Sequence, residues 1–333
     1  MHRAAGSWPS PISAGMVAAQ GVRLAQPSID GDDVYWLEGR PAEAGRTVLV
    51  RRTPDGRTRD VIPAGFNVRT RVHEYGGGAY VVGGGVAYFA NFADQRWYRV
   101  AVDEDNPRPI PITAEGPWRF ADPVVDARRH RLICVREDHS TPSVEPTNTL
   151  VSIRLDGLTP AAGDVIASGH DFYSTPRLSP DGARLSWICW RHPNMPWDGT
   201  ELWVADVTSQ GALAHEGCVA GSATESIYQP GWSSDGSLVF ASDRDDWWRL
   251  FRYGRAITPV LTDPPSRAEF GRPEWVFGTS TWAIATPQRM VAAYAKDGRW
   301  QLATIDFPHD SGGQADRPTG TLKEVPTSLE PLE

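Results

Sequence analysis

Apolar residues along this chain fall in short runs fenced by Gly, Pro, Asp and Ser, and no stretch keeps the three-and-four spacing of an amphipathic helix. In one unit Val34-Tyr35-Trp36-Leu37 is followed by Thr47-Val48-Leu49-Val50-Arg51 and the turn Pro54-Asp55-Gly56. In another, Ala79-Tyr80-Val81-Val82, a Gly83-Gly84-Gly85 turn and Val86-Ala87-Tyr88-Phe89 lead to Trp97-Tyr98-Arg99-Val100-Ala101-Val102. β-Branched and aromatic runs between turn formers predict strands joined as hairpins. The same reading predicts strands over 184–190 and 201–207 joined by a long loop over 191–200, and strands over 238–242 and 249–253 joined by 243–248.

The pattern repeats. Pro176-Arg177-Leu178-Ser179-Pro180-Asp181-Gly182-Ala183-Arg184-Leu185-Ser186-Trp187 and Pro230-Gly231-Trp232-Ser233-Ser234-Asp235-Gly236-Ser237-Leu238-Val239-Phe240 are its clearest copies, with looser ones from Pro27 to Trp36 and from Pro123 to Val135. Their starts lie roughly 45–55 residues apart, the period of a four-stranded propeller blade. Blade-like units are expected over 27–63, 73–114, 120–169, 171–222, 226–268 and 270–307, the last less regular. The predicted fold is therefore an all-β propeller of four-stranded antiparallel blades, with six units legible and a seventh partial or missing. Residues 1–26 read as an N-terminal extension, 27–307 as the propeller, and 308–333 as a linker or incomplete last blade in which only Thr321 to Val325 resembles a strand. An unfinished ring would leave blade faces open, so a truncated chain or a domain excerpt is expected. Trp36, Trp187, Trp232 and Trp275 recur at similar places and are expected to pack between blades. Of the adjacent Trp247 and Trp248, which must point to opposite faces of a strand, one is expected in the core.

Composition narrows the function. Of the 333 residues 40% are hydrophobic, enough for a real core, and the net charge of −8 without any Lys/Arg cluster excludes a nucleic-acid surface. No segment approaches the ~18 apolar residues of a membrane span. Residues 1–21 lack an apolar stretch after a basic start, so neither a secretory signal nor a membrane partner is expected, and a cytoplasmic location is. Cys134, Cys189 and Cys218 are odd in number and widely spaced, which predicts buried thiols in a reducing compartment. His73, His139, His170 and His192 lack a short ligand spacing, and no metal or cofactor is expected.

The run Arg69-Thr70-Arg71-Val72-His73-Glu74-Tyr75-Gly76-Gly77-Gly78-Ala79-Tyr80 is too particular for a generic propeller. It resembles the N-terminal propeller of the prolyl oligopeptidase family of serine peptidases, in the bacterial dipeptidyl aminopeptidase and acylaminoacyl-peptidase-like branch. Tyr35-Trp36-Leu37-Glu38-Gly39-Arg40-Pro41, Asp94-Gln95-Arg96, Arg136-Glu137-Asp138-His139, Asp171-Phe172-Tyr173, His192 to Asp198, Glu225-Ser226, Ser242-Asp243-Arg244 and Glu269-Phe270-Gly271 are similar in the same order, so the resemblance runs from Trp8 to about Phe307. It implies a ring, usually of seven blades, that shields the active site of an α/β-hydrolase domain, admits short peptides, and lends side chains to the substrate's outer end. The expected partners are that hydrolase domain and a short peptide.

No catalytic residue is expected within the chain. A nucleophilic serine needs a strained strand-to-helix turn, an oxyanion hole and an oriented base. The nearest string to the Gly-x-Ser-x-Gly elbow, Gly278-Thr279-Ser280-Thr281-Trp282, lacks the second glycine and sits in strand-like sequence. Candidate substrate contacts are Glu74 with Arg69 and Arg71, because a carboxylate pairs with an α-ammonium and a guanidinium with a carbonyl or carboxylate. The alternative is that Arg71 and Glu74 pair with each other and tie blades together. Glu137, His139, Asp171 and Tyr173 could bring polar groups and a ring to the same rim, or serve as turns and inter-blade bonds. Trp197 and Asp198, in the long loop, are candidate docking or lining contacts. A free-standing TolB-like propeller acting as a binding scaffold is the main rival reading. A sialidase or calcium-dependent lactonase is a weaker one, since neither the Asp-box spacing nor a set of tunnel acids is present.

Overall fold

The computed structural model describes residues 11–13, 16, 21–141, 145–157, 162–308 and 319–327, so much of the expected 1–26 extension and of the 308–333 segment lies outside the described residues. Among the described residues six antiparallel sheets follow one another, five of four strands and a last one whose inner strand is split. Blade 1 is built from Arg23–Asp30, Asp33–Arg40, Arg46–Arg52 and Thr58–Asp60, paired in sequence order. Blades 2 to 5 repeat the plan over 80–111, 118–167, 172–221 and 227–259. Blade 6 runs from 268 to 324, its outer strand Thr321–Glu324 pairing with Arg299–Asp306. The expected strands over 184–190, 201–207, 238–242 and 249–253 are present with those bounds. No helix of the described residues is long and apolar enough to cross a membrane.

The prolines that open the repeats have a structural role. Register slips beside Gln26, Asp122, Thr175 and Gln229, each of which has a positive φ and precedes Pro27, Pro123, Pro176 or Pro230. A bulge is where a strand tolerates a residue without an N–H, and it re-aims the preceding side chain. Those side chains stitch blades together. Asp122 accepts from the Thr175 backbone N–H at 2.6 Å and from Arg177 Nη1 at 3.1 Å in blade 4. Gln229 accepts from the Thr281 N–H at 2.7 Å and donates to the Trp282 carbonyl at 2.6 Å in blade 6.

Apolar side chains pack between successive blades: Tyr35, Leu49 and Phe89 between blades 1 and 2, Trp97 and Ile133-adjacent Leu132 between 2 and 3, Trp187 and Val135 between 3 and 4, Ile188 and Phe240 between 4 and 5, Tyr228 and Tyr294 between 5 and 6. Of the recurring tryptophans Trp187 is buried, while Trp36 and Trp232 are partly exposed, their indole N–H groups donating to Glu38 and to the Arg177 carbonyl. Trp275 departs from the expectation: it is 50% exposed, because its segment has left the sheet. Trp248 packs on the core of blades 5 and 6, and Trp247 lies under Arg267. Cys134 and Cys189 are buried, but Cys218 is exposed, on an outer strand that no further strand covers among the described residues.

Blade 6 has the feature that matters most for function. Ala268–Glu269 and Trp282–Thr286 both pair with Arg289–Lys296, and residues 270–281 leave the sheet between them. Where other inner strands spend a short bulge, this one makes a long excursion. The Phe277 N–H donates to the Gly76 carbonyl at 3.0 Å, the Gly78 N–H donates to the Phe277 carbonyl at 3.1 Å, and Gln26 Nε2 donates to the same carbonyl at 2.9 Å. Gly77 permits this crossing: its φ is +90°, and a Cβ there would lie 2.3 Å from the Phe277 carbonyl oxygen. A segment from blade 6 thus bonds to Gln26 of blade 1, to the connection into blade 2 and, through Glu274, to Ser174 and Thr175 of blade 4.

Candidate functional site

Against this excursion, on the side of the loops joining second to third strands, lies a cavity of about 310 Å³. His73, Glu74, Tyr75 and Gly76 line it from the connection into blade 2, and Glu137, His139 and Glu145 from blade 3. Phe172, Trp190, Met195 and Trp197 contribute from blade 4, and Glu274 to Phe277 from the excursion. Each group sits on a loop or strand end held by the sheets behind it, the usual place for binding residues on a rigid scaffold.

The walls are aromatic. Trp197 and Trp275 face each other with ring centroids 4.3 Å apart, Tyr75 meets Trp275 edge-on at 5.6 Å, and Phe172 stacks on Trp190 at 5.3 Å. His73 is wedged among Phe172, Trp190 and Phe277 at 5.2, 5.6 and 4.9 Å. Burial pushes its imidazole down to about 4, with Asn148 opposing, so the ring is neutral at physiological pH. Tyr75, Met195 and Trp275 leave apolar surface exposed at the mouth.

The polar side of the cavity is carboxylate-rich. Arg119 Nη1 donates to Glu74 Oε1 at 2.6 Å, to Glu137 Oε2 at 3.3 Å and to the Arg71 carbonyl at 3.0 Å. Glu137, whose side chain is nearly buried, also accepts from the His73 N–H at 3.0 Å and pairs with His139 Nε2 at 2.9 Å. The Arg119 guanidinium holds the Glu74 carboxyl below its usual range. Glu274 accepts from Ser174 Oγ at 3.1 Å and Thr175 Oγ1 at 3.4 Å. Burial, and then the like charge of Asp122, push its carboxyl up to about 8, against the Ser174 hydroxyl and Arg177. Glu274 thus retains its proton near neutrality, a perturbation of the kind that concentrates in binding sites.

The structure brings Glu74, Glu137, His139 and Trp197 to one cavity. The other candidates stand elsewhere. Arg69 and Arg71 both lie over the Phe92 ring, at 4.5 and 4.7 Å, and the pairing of Arg71 with Glu74 is replaced by the Arg119 bridge. Asp171 accepts from the His192 N–H at 2.9 Å, Asp198 accepts from the Met195 N–H at 2.8 Å, and the buried Tyr173 hydroxyl accepts from the His170 N–H at 3.1 Å. These bonds shape the loops behind the cavity. Sequence reasoning missed Glu274, Trp275 and Phe277 as cavity residues, and Arg119 as the group that bridges two of its carboxylates. The available signal was the irregular start of the sixth unit, where Gly271-Arg272-Pro273-Glu274 interrupts the strand pattern.

No family model matches the chain, and no curated protein does. Among solved structures it is similar to puromycin hydrolase (37% identity, TM-score 0.82), to a mutant of puromycin hydrolase complexed with PGG (36%, 0.83) and to a puromycin-hydrolyzing peptidase of Mycobacterium tuberculosis (35%, 0.79). In each the match covers 90% of this chain and 48% of the other, so the chain spans about half the length of these relatives. A prolyl endopeptidase at 14% identity and TM-score 0.60 shares the fold alone. With the Arg69 to Tyr80 run, the blade architecture and this identity along nearly all of its length, the chain belongs to the prolyl oligopeptidase family as a β-propeller of the puromycin hydrolase kind.

Proposed function

We propose that this propeller holds the amino end of a short peptide or aminoacyl amide and presents the scissile bond to a serine hydrolase domain seated over the cavity. The observation that carries the reading is the pairing of aromatic walls with Glu74, Glu137 and Glu145 in one cavity, which leaves an acidic surplus beside the single bridging guanidinium of Arg119. An α-ammonium is the complement of that surplus, and an aromatic side chain such as the methoxyphenyl group of puromycin is the complement of Trp197, Trp275 and Tyr75. The same charge disfavours acylated substrates, so an aminopeptidase preference follows. The apolar lip of Tyr75, Met195 and Trp275 offers the hydrolase domain a contact. With Glu274 to Phe277 forming one wall of the cavity, access is controlled at this face, inside the cell, where the free thiols are kept reduced.

The test is binding of puromycin and of its N-acetyl derivative to the purified chain, followed by tryptophan fluorescence and calorimetry. Puromycin should bind with Trp197→Ala and Glu137→Gln each weakening it about tenfold, a loss typical of one aromatic or charge-assisted contact, and the acetylated form should bind more weakly. Equal binding of both forms, or indifference to both substitutions, overturns the reading.

A further inference from the structure

A second cluster lies on blade 4, behind the cavity wall. Cys189 stands opposite Glu201 in the sheet register, and Trp203 opposite Cys218. Glu201 and Trp203 are two residues apart on one strand, so all four side chains share one face of the blade. His170, from the connection between blades 3 and 4, folds over that face. Its ring meets Tyr173 and Trp203 edge-on at 5.9 and 5.7 Å, and its Nε2 is 3.3 Å from Glu201 Oε2. Trp203 Nε1 donates to the same oxygen at 2.7 Å. The donor atoms of His170, Cys189 and Glu201 all lie within 4.8 Å of one another.

We propose that His170, Cys189 and Glu201 form a binding site for a zinc-like divalent ion. Imidazole, thiolate and carboxylate together are a donor set for zinc or cobalt and unsuited to calcium or magnesium, which take oxygen donors. In a tetrahedral zinc site with bonds of about 2.0–2.3 Å the donors stand roughly 3.3–3.8 Å apart, so small rotations of these side chains close the set. The supporting contacts are those expected around a metal: Trp203 fixes the carboxylate, and the Tyr173 and Trp203 rings fix the imidazole. Cys189 lies at the buried end, while His170 and Glu201 retain exposed edges through which an ion can enter. Coordination replaces the Cys189 thiol proton, which leaves to solvent, so affinity rises with pH. A water takes the fourth position, or the exposed Cys218 reaches it. Trp190 follows Cys189 and Phe172 lies two residues beyond His170, and those rings stack in the cavity wall, so a bound ion braces that wall from behind.

The probe is cobalt(II), added to the whole chain after treatment with a chelator, with zinc as competitor. One equivalent should bind with the near-ultraviolet thiolate-to-cobalt band and the intense visible bands of a tetrahedral site, and zinc should erase both. Cys189→Ser should abolish the near-ultraviolet band. His170→Ala, at a partly exposed position in a connection, should weaken binding at least tenfold with the circular dichroism of the fold unchanged. A band that also requires Cys218 supports the site with that thiol as fourth ligand. No thiolate band in the wild-type chain, or a band that survives Cys189→Ser and vanishes only in Cys218→Ser, overturns the proposal.

Discussion

Glu274 provides the sharpest test of the cavity as described. Its carboxyl is pushed from the ordinary 4.5 to about 8, first by burial and then by Asp122. The native state therefore holds a proton that the unfolded chain gives up, and stability must fall as pH rises between those two values. A gap of that size corresponds to ~5 kcal/mol at about 1.36 kcal/mol per pH unit. Solvent reaches part of Glu274 through the cavity, so a loss of roughly 3 kcal/mol between about pH 5 and about pH 8 is expected from this group. Glu274→Gln keeps the shape of the protonated acid and cannot ionise. The variant should match the wild-type chain near pH 5, lose less stability on the way to pH 8, and be the more stable of the two above it. Urea unfolding at a series of pH values measures this directly. Parallel stability curves for the two proteins from pH 5 to 9 would show that Glu274 is solvated and ionised like any surface carboxylate, and would refute the argument.

Three further outcomes follow from the same contacts. Arg119→Ala leaves the nearly buried Glu137 carboxylate without its guanidinium and should cost roughly 1–3 kcal/mol in urea unfolding, with most of the loss persisting in high salt because the pair is shielded from ions. Gly77→Ala places a Cβ against the Phe277 carbonyl at a positive φ, so the excursion should be displaced at a cost of about 3 kcal/mol or more, and the exciton signal of the Trp197–Trp275 pair in circular dichroism should vanish. A thiol reagent should modify Cys218 quickly in the native chain and all three cysteines only after unfolding, since burial pushes the Cys134 thiol up to about 12 and raises Cys189 further.

The blades were legible because their code is local. A β-prone run, a tight turn and a second run lie within a dozen residues, and the opening proline marks a bulge whose conformation it helps to impose. Glu74, Glu137, His139 and Trp197 were legible as candidates because a carboxylate, an imidazole or an indole in a loop is conspicuous wherever it stands. Their partners were not. Arg119 meets Glu74 across 45 residues of chain and Glu274 meets Ser174 across 100, and no repeat period encodes either contact. Trp275 fitted the tryptophan pattern by position yet left the core, because the excursion carries it out of the sheet. Arg71 and Glu74, three residues apart, suggested a pair by proximity alone, and the backbone turn with positive φ at His73 and Glu74 sends the carboxylate to another blade.

Residues 270–281 act as a keystone. They originate in blade 6 yet form a wall of a cavity whose remaining walls belong to blades 2, 3 and 4, and they are fastened there by backbone bonds to Gly76 and Gly78. A single protease nick in this strap would empty the pocket while leaving six sheets folded. Occupancy of the pocket therefore reports that this strap is unbroken and seated.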